Sequence, residues 1–269
     1  MTETTHNFES LRAGGAWRIW APFYRMRERC NGYGFHVALA IVVTTFGLAG
    51  YHSTNLFAEG RGVTTWNPTI EWDTAIPPLP WSILIYLSVY LYYPLPFLIA
   101  DRTLRGRREL ALAAQGTILL FLFSYGFFLF MPAEVVVRTQ MEDLLPSMHP
   151  RFAALYELVY VFDRPWNSWP SLHVSESLLI VLFVQRWLSI RAAEFRRGRL
   201  YIRVLWVAWL ALSLSIVTTK QHFIWDMFSG AGICALLWWG YVMPRLRLPI
   251  AEHAPSGPFP GRESDHARR

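Results

Sequence analysis

Two histidines about fifty residues apart are the side chains of this sequence best suited to chemistry. His173 ends the segment WPSLH at 169–173, and His222 follows KQ at 220–221 and precedes Asp226 by four residues. Each histidine stands at the edge of a long apolar run. Because an imidazole is costly in hydrocarbon and titrates near neutral pH, this placement predicts a reaction at a membrane surface.

The first motif predicts a helix start. Pro170 prevents a helix from continuing from upstream, and Ser171 is a good N-cap, so that His173 falls in the first turn. The unpaired N–H groups of that turn and the helix dipole favour a phosphate oxygen. A histidine there can donate a proton to a leaving oxygen. The alternative is a solvated histidine at the membrane edge, and the motif alone does not decide between the two.

The second motif predicts an oriented imidazole. If a helix begins near His222, the spacing places His222 and Asp226 on one face, one turn apart. The carboxylate would accept from one ring nitrogen and leave the other free as a nucleophile. A structural pair that caps the helix is the alternative. Lys220, the only lysine among 25 basic residues, would supply charge for a phosphate, or else be a lysine extending to the interface.

Composition places these motifs in a membrane. Hydrophobic residues make up 53% of the 269, and the mean hydropathy is +0.24, unlike an average soluble domain. The apolar residues form blocks close to the length that crosses about 30 Å of hydrocarbon as a helix. The predicted spans are 35–51, 79–100, 111–131, 172–190, 204–219 and 223–243. We therefore predict an all-α polytopic membrane protein, a bundle of six transmembrane helices.

The arginines predict the orientation, because positive loops stay cytoplasmic. They concentrate in the N-terminal segment and in the segments that follow the second, fourth and sixth spans. The opposite loops contain only Arg61, Arg138, Arg151 and Arg164. Both termini would then be cytoplasmic, with the histidines at the outer face of the plasma (inner) membrane. The +6 net charge is thus a topological signal and does not indicate nucleic-acid binding.

Three regions follow from this pattern. Residues 1–34 are a basic, amphipathic cytoplasmic segment, residues 35–248 the membrane catalytic domain, and residues 249–269 a disordered cytoplasmic tail. No cleavable signal peptide is apparent. Cys30 and Cys234 fall too far apart for a disulfide, and no metal-binding spacing occurs, so no cofactor is predicted.

The two motifs together resemble the type-2 phosphatidic acid phosphatase superfamily. Pro-Ser-x-His followed by His-x-x-x-Asp looks closest to its inositol phosphorylceramide synthase-like branch, where Ser-Leu-His replaces Ser-Gly-His. The likeness covers about residues 138–230. It implies a six-helix core in which His222 attacks phosphorus to form a phosphohistidine and Asp226 orients it. His173 would protonate the leaving oxygen and then activate water or an alcohol, while Ser171 and backbone amides hold phosphate oxygens without a metal.

The sequence departs from the family pattern at the phosphate-binding positions. In the third family motif, which contains the nucleophilic histidine, Ser215 matches the serine but Ile216 occupies the position of the arginine, and Lys220 is the candidate replacement for that charge. In the first family motif, Phe130 stands where a lysine is expected. Arg138 is the favoured counterpart of the arginine there, with Arg164 in reserve.

Other polar residues near the motifs have less defined roles. Asp163 and Asn167 are expected to shape the loop before His173. Glu176, one turn beyond His173, either hydrogen bonds to it or faces a polar cavity.

The combined prediction is a lipid phosphatase that acts on a lipid phosphate or diphosphate at the outer membrane face. A lipid phosphotransferase that moves a phospho-headgroup to an alcohol is the alternative, since only the acceptor differs. A non-catalytic lipid-binding or transport relative is a third possibility. The predicted partners are the membrane and the lipid substrate, and a second copy of the chain is left open.

Overall fold

The structure is a computed structural model that describes residues 3–191 and 197–249, with side chains described from residue 8. This part of the chain is helical, and an isolated bridge between Ala133 and Asn167 is its one β-type pairing. The predicted disordered tail, apart from residue 249, lies outside the described residues.

Seven helices longer than ten residues organise the described chain. In chain order they are α1 (Glu3–Ala13), α2 (Gly34–Arg61), α3 (Leu104–Phe130), α4 (Pro150–Phe162), α5 (Leu172–Arg191), α6 (Gly198–Thr218) and α7 (Ile224–Leu246). Five of them, α2, α3, α5, α6 and α7, are long and apolar enough to cross a membrane. A π-helical turn at Trp238–Val242 interrupts α7. The shorter helical segments are Arg18–Trp20, Ala21–Tyr24, Glu71–Ala75, Pro80–Ser82, Ile83–Tyr86, Val89–Tyr92, Leu95–Ile99, Val136–Arg138, Thr139–Glu142 and Leu145–Ser147.

Helix α2 extends well beyond the predicted span, which ended at residue 51. Its polar continuation is stabilised within the helix, where Thr54 Oγ1 donates to the Gly50 carbonyl at 2.9 Å, and Asn55 is buried. The helix stops at Gly62, whose φ of +60° suits glycine at a helix C-terminus. The polar residues of this continuation therefore hid the true length of α2 in the sequence.

The second predicted span does not form one helix. Residues 80–99 make a series of short helical segments. Pro94 and Pro96 lack the N–H groups that a continuous helix needs, which accounts for the interruption after Tyr92. Just before these segments, the Leu79 N–H donates to the Thr218 carbonyl at 2.9 Å, at the end of α6. Just after them, the Ala100 carbonyl contacts His36 Nε2 at 3.2 Å, at the start of α2. The segment thus connects the two ends of the bundle.

The arginine-rich segments meet at one end of the bundle, called here the arginine end. Arg108 donates to the carbonyls of Gly14 and Arg245, and Arg191 pairs with Asp101. The N-terminal segment, the start of α3 and the ends of α5 and α7 therefore lie together, as the charge pattern predicted.

The N-terminal segment packs on the bundle through one buried amide. Gln115 Oε1 accepts from the Trp17 N–H and from Trp20 Nε1, both at 3.0 Å. Within residues 16–29 the helical segments are Arg18–Trp20 and Ala21–Tyr24. Trp17 and Trp20 in this part of the amphipathic segment are bound by Gln115 of α3.

Candidate active site

The side chains of His173 and His222, called here the imidazole pair, meet at the end of the bundle opposite the arginine end. His173 Nδ1 and His222 Nε2 are 3.1 Å apart, with ring planes at 68°. Both side chains are buried, at 8% and 3% exposure. His173 is the second residue of α5, and His222 lies in the turn between α6 and α7. The predicted convergence of the two motifs is thus present in the structure.

The turn before α5 is fixed to α7 by backbone contact. Ser171 Oγ accepts from the Val174 N–H at 3.4 Å, as predicted for an N-cap, and lies 3.4 Å from His222 Nε2. The Ser171 N–H donates to the Asp226 carbonyl at 3.2 Å. A Cβ at Gly230 would stand 2.6 Å from the Ser171 carbonyl oxygen. Only glycine lets the two elements approach this closely, so the two motifs share one rigid base.

Asp226 orients His222, although through a different local structure from the predicted one. Helix α7 begins at Ile224, so His222 precedes it, and Asp226 Oδ2 caps the helix by accepting from the Phe223 N–H at 3.0 Å. The same oxygen lies 3.3 Å from His222 Nδ1, which also lies 3.0 Å from the Ser168 carbonyl. Both neighbours are acceptors, so Nδ1 carries hydrogen and Nε2 is the free nitrogen.

A second carboxylate orients His173 through a tyrosine. His173 Nε2 lies 3.0 Å from the Tyr86 hydroxyl, which donates to Asp163 Oδ2 at 2.9 Å. The Tyr51 hydroxyl donates to Asp163 Oδ1. Sequence reasoning missed both tyrosines, because a tyrosine within an apolar run usually indicates an interfacial or lipid contact. It assigned Asp163 only to the shape of the loop.

Asp163 is held as a carboxylate. Burial alone would raise its pKa, but the charges of His173 and Arg138 and the Tyr51 hydrogen bond outweigh burial and lower the pKa below its ordinary 3.8. The carboxylate therefore stays ionised at neutral pH and accepts a hydrogen bond from each of the two tyrosine hydroxyls. The stability that this shift contributes is present above pH 3.8 and is lost as the pH falls through the lower, folded-state value.

A chain of four hydrogen-bond links joins Asp163, Tyr86, His173, His222 and Asp226. If both carboxylates are ionised and both rings are neutral, the tyrosine and the two rings supply three hydrogens. The outer ring nitrogens then donate towards the carboxylates, and the link between His173 Nδ1 and His222 Nε2 is the position at which the chain can accept one further proton.

Arg138 joins the two loops that carry the site. Its Nη1 donates to the Asp163 carbonyl at 2.7 Å and its Nη2 to Gln221 Oε1 at 2.6 Å. The guanidinium lies 4.8 Å from the centre of the Tyr160 ring. Its buried Nε has no hydrogen-bond partner among the described residues. Arg138 is therefore the candidate phosphate-binding arginine that the structure places in this region.

The structure does not bring Arg164 into this cluster. Arg164 pairs with Glu59 and is 38% exposed. Phe130, at the position where the family motif has a lysine, is 79% exposed at the end of α3. Neither residue makes a hydrogen bond to the imidazole pair within the described chain.

Lys220 has a structural position that neither sequence interpretation anticipated. Its ammonium is fully buried and donates to the carbonyls of Asp73 and Ile76 at 2.5 and 2.6 Å. Asp73 Oδ1 in turn accepts from the Ile224 N–H at 2.7 Å. Burial lowers the pKa of Lys220, and the Asp73 charge partly opposes this. Lys220 thus fastens the loop after α2 to the turn that carries His222.

We expect Lys220→Met to destabilise the protein more than it weakens substrate binding. The substitution leaves two buried carbonyls without donors, at a cost of roughly 1–3 kcal/mol each. Thermal unfolding of the purified protein should show a lower Tm, while Arg164→Gln, at an exposed ion pair, should change it little. If the Tm of Lys220→Met is unchanged and its KM rises tenfold or more, Lys220 binds the phosphate of the substrate instead.

A cavity of about 220 Å³ lies beside the imidazole pair. It is bounded by α2, α3, α5 and the segment 80–99, and it reaches the side chains of His173 and Asp163. Most of its lining is apolar, and Glu176 of α5 is part of the wall. The predicted hydrogen bond between Glu176 and His173 is absent from this part of the structure.

Protein-family models, curated proteins and solved structures offer no match to this chain. The family resemblance drawn from the two motifs therefore stays a prediction. The geometry of the imidazole pair is the basis on which a function can be inferred.

Proposed function

We propose that this protein is an integral-membrane phosphatase that cleaves a lipid phosphate or diphosphate through a phosphohistidine at His222. The observation that carries the proposal is the imidazole pair, in which each outer nitrogen is bound to a carboxylate, directly for His222 and through Tyr86 for His173. One ring is thereby prepared as a nucleophile and the other as an acid.

In the first step a phosphate enters between the two rings, which must part to admit it. His222 Nε2 attacks phosphorus, so that a P–N bond forms as the P–O bond to the lipid breaks. We assign the acidic proton of this step to the link between the two rings: the leaving oxygen takes it from His173 Nδ1 and departs as an alcohol, or as a lipid phosphate when the substrate is a diphosphate. Asp226 and the Ser168 carbonyl stabilise the positive charge that develops on His222.

In the second step His173 acts as the base. Its Nδ1 takes a proton from water, whose oxygen attacks phosphorus as the P–N bond breaks. Inorganic phosphate leaves, His222 is regenerated, and the proton is again stored at the imidazole pair. The candidate donors to the phosphate oxygens are the N–H groups at the start of α5, the Ser171 hydroxyl, which lies 3.4 Å from His222 Nε2, and the Nε of Arg138.

A phosphotransferase is the second candidate, because an alcohol can replace water in the second step. The cavity beside His173 favours it, since its largely apolar lining suits an amphiphilic alcohol better than bulk water. The same residues would serve both reactions.

We place the site at the outer face of the plasma membrane. The five long apolar helices support membrane insertion, and the segment 80–99, which joins both ends of the bundle, is proposed as a sixth crossing. The arginine end would be cytoplasmic. The imidazole pair at the other end would then face outwards.

Turnover assays on purified protein in detergent test the function. We expect phosphate release from at least one of phosphatidic acid, diacylglycerol diphosphate and a polyprenyl diphosphate, and inhibition by vanadate, which imitates five-coordinate phosphorus. Repeating the assay with candidate alcohols and following the lipid products separates transfer from hydrolysis. Binding of these lipids by folded protein without release or transfer of phosphate would show instead a non-catalytic relative.

A further inference from the structure

Glu176 is an acidic side chain for which the proposed reaction has no use. It follows His173 by three residues on α5, so its Cα lies about 4.5 Å further along the helix axis, towards the arginine end. The side chain is half-buried and lines the cavity, and the described residues give it no hydrogen bond. An unpartnered carboxyl within a membrane-spanning helix is costly and indicates a function.

The cavity opens at the side of the bundle. Leu48, Tyr90 and Phe162 belong to its lining and are also 68%, 52% and 68% exposed, so they form its mouth. These three side chains lie on α2, on the segment 80–99 and at the end of α4. An opening between apolar side chains on the flank of a membrane protein faces lipid tails. A lipid can therefore enter with its hydrocarbon chain in the cavity and its phosphate at His173.

We infer that the substrate is a lipid phosphate whose backbone carries a hydrogen-bond donor next to the phosphoester, and that Glu176 binds this donor. The inference rests on the proposed function. When the phosphate of the substrate lies at the imidazole pair, Glu176 faces the lipid atoms that are two or three bonds beyond the ester oxygen. A hydroxyl, amide or amine there gives the carboxyl its missing partner.

Lipids without such a donor fit the cavity less well. A polyprenyl phosphate presents only hydrocarbon at this depth and would leave the Glu176 carboxyl unpaired in apolar surroundings. A site built to hydrogen bond a substrate hydroxyl rejects analogues that lack it far more strongly than a purely apolar pocket does. We expect a preference of at least about tenfold in kcat/KM for donor-bearing lipids.

Three lipid phosphates test the inference on the purified full-length protein. Lysophosphatidic acid and sphingosine 1-phosphate carry a donor near the phosphoester, and farnesyl phosphate does not. The wild type should prefer the first two, Glu176→Leu should lose the preference, and Glu176→Gln should keep part of it because its amide oxygen still accepts. Thr117→Val, which removes a hydroxyl from the same cavity wall, is the matched control and should keep the full preference.

Each outcome separates the inference from the function on which it rests. If Glu176→Leu retains the full preference, Glu176 is not the binding group. If the wild type cleaves all three lipids equally, the substrate class is wrong while the phosphatase function stands. If it cleaves none of these or of the diphosphates, both proposals fail. The Tm of Glu176→Leu should equal or exceed that of the wild type, because an unpartnered acid has been replaced by an apolar side chain.

Discussion

We expect the His222→Asn variant to lose at least about 10³-fold of its activity toward every substrate, because no other group can take up the phosphoryl group. The variant should also fail to acquire label from a radioactive phosphate ester. The wild type should form an acid-labile, alkali-stable adduct, as a phosphohistidine does. His36→Asn is the matched control, since His36 is equally buried but bonds to the Ala100 carbonyl at the arginine end.

His173→Asn should separate the two steps of the same reaction. Cleavage of a lipid ester needs an acid and should fall about 10²–10⁴-fold. An aryl phosphate such as p-nitrophenyl phosphate has a leaving group that needs no proton, so its first step should survive. The variant lacks the base for the second step and should stall as the phosphoenzyme, giving a burst of nitrophenolate. Label trapped in the His222 variant instead would reverse the two assignments.

The second large effect is expected from the relay behind His173. Asp163→Asn or Tyr86→Phe should lower kcat about 10–10²-fold with little change in KM, because each breaks the chain that stores the acidic proton. The double variant should be no slower than the slower single variant, since both act through one chain. In Asp163→Asn the alkaline limb of the pH–rate profile should move to lower pH, because the stored proton has lost a nearby negative charge.

A matched control separates this relay from simple packing. Tyr156 is as buried as Tyr86 but is not part of the hydrogen-bond chain that runs from Asp163 to Asp226, so Tyr156→Phe should leave kcat and the pH profile unchanged. If the relay variants have independent effects that add, or lower the Tm without moving the pH profile, Tyr86 and Asp163 only support the fold.

The predictable parts of the site were those set by local sequence. The Ser171 cap follows from the residue types around Pro170. The order of the apolar runs added that both histidines lie at the same end of the bundle, whereas their contact at 3.1 Å comes from the packing of the helices. The role of Lys220 could not be predicted, because its partners are carbonyls about 150 residues away and any residue type supplies a carbonyl. The positive charge of Lys220 suggested that it binds a phosphate, whereas in the folded protein its ammonium donates to two backbone carbonyls.

Tyr86 was missed for a related reason. Whether a tyrosine hydroxyl faces lipid or a buried carboxylate depends on how its segment turns, and the breaks in residues 80–99 decide that orientation. Pro94 and Pro96 were visible signals against one continuous helix there. The extension of α2 to Arg61 was hidden differently, because it is partly polar: Thr54 bonds within the helix, whereas Glu59 pairs with Arg164 outside it.

The close approach of Gly230 to Ser171 has a consequence for the speed of the catalytic cycle. With the two backbones in contact and the Ser171 N–H bound to the Asp226 carbonyl, the elements that carry the histidines cannot slide apart. Admission of a headgroup must come from rotation of an imidazole, a motion that takes nanoseconds in accessible side chains and is slower where packing is dense. Both imidazoles are buried and hydrogen-bonded at both ring nitrogens, so we expect their rotation to be slower than that of an accessible side chain and to contribute to the time that each cycle takes.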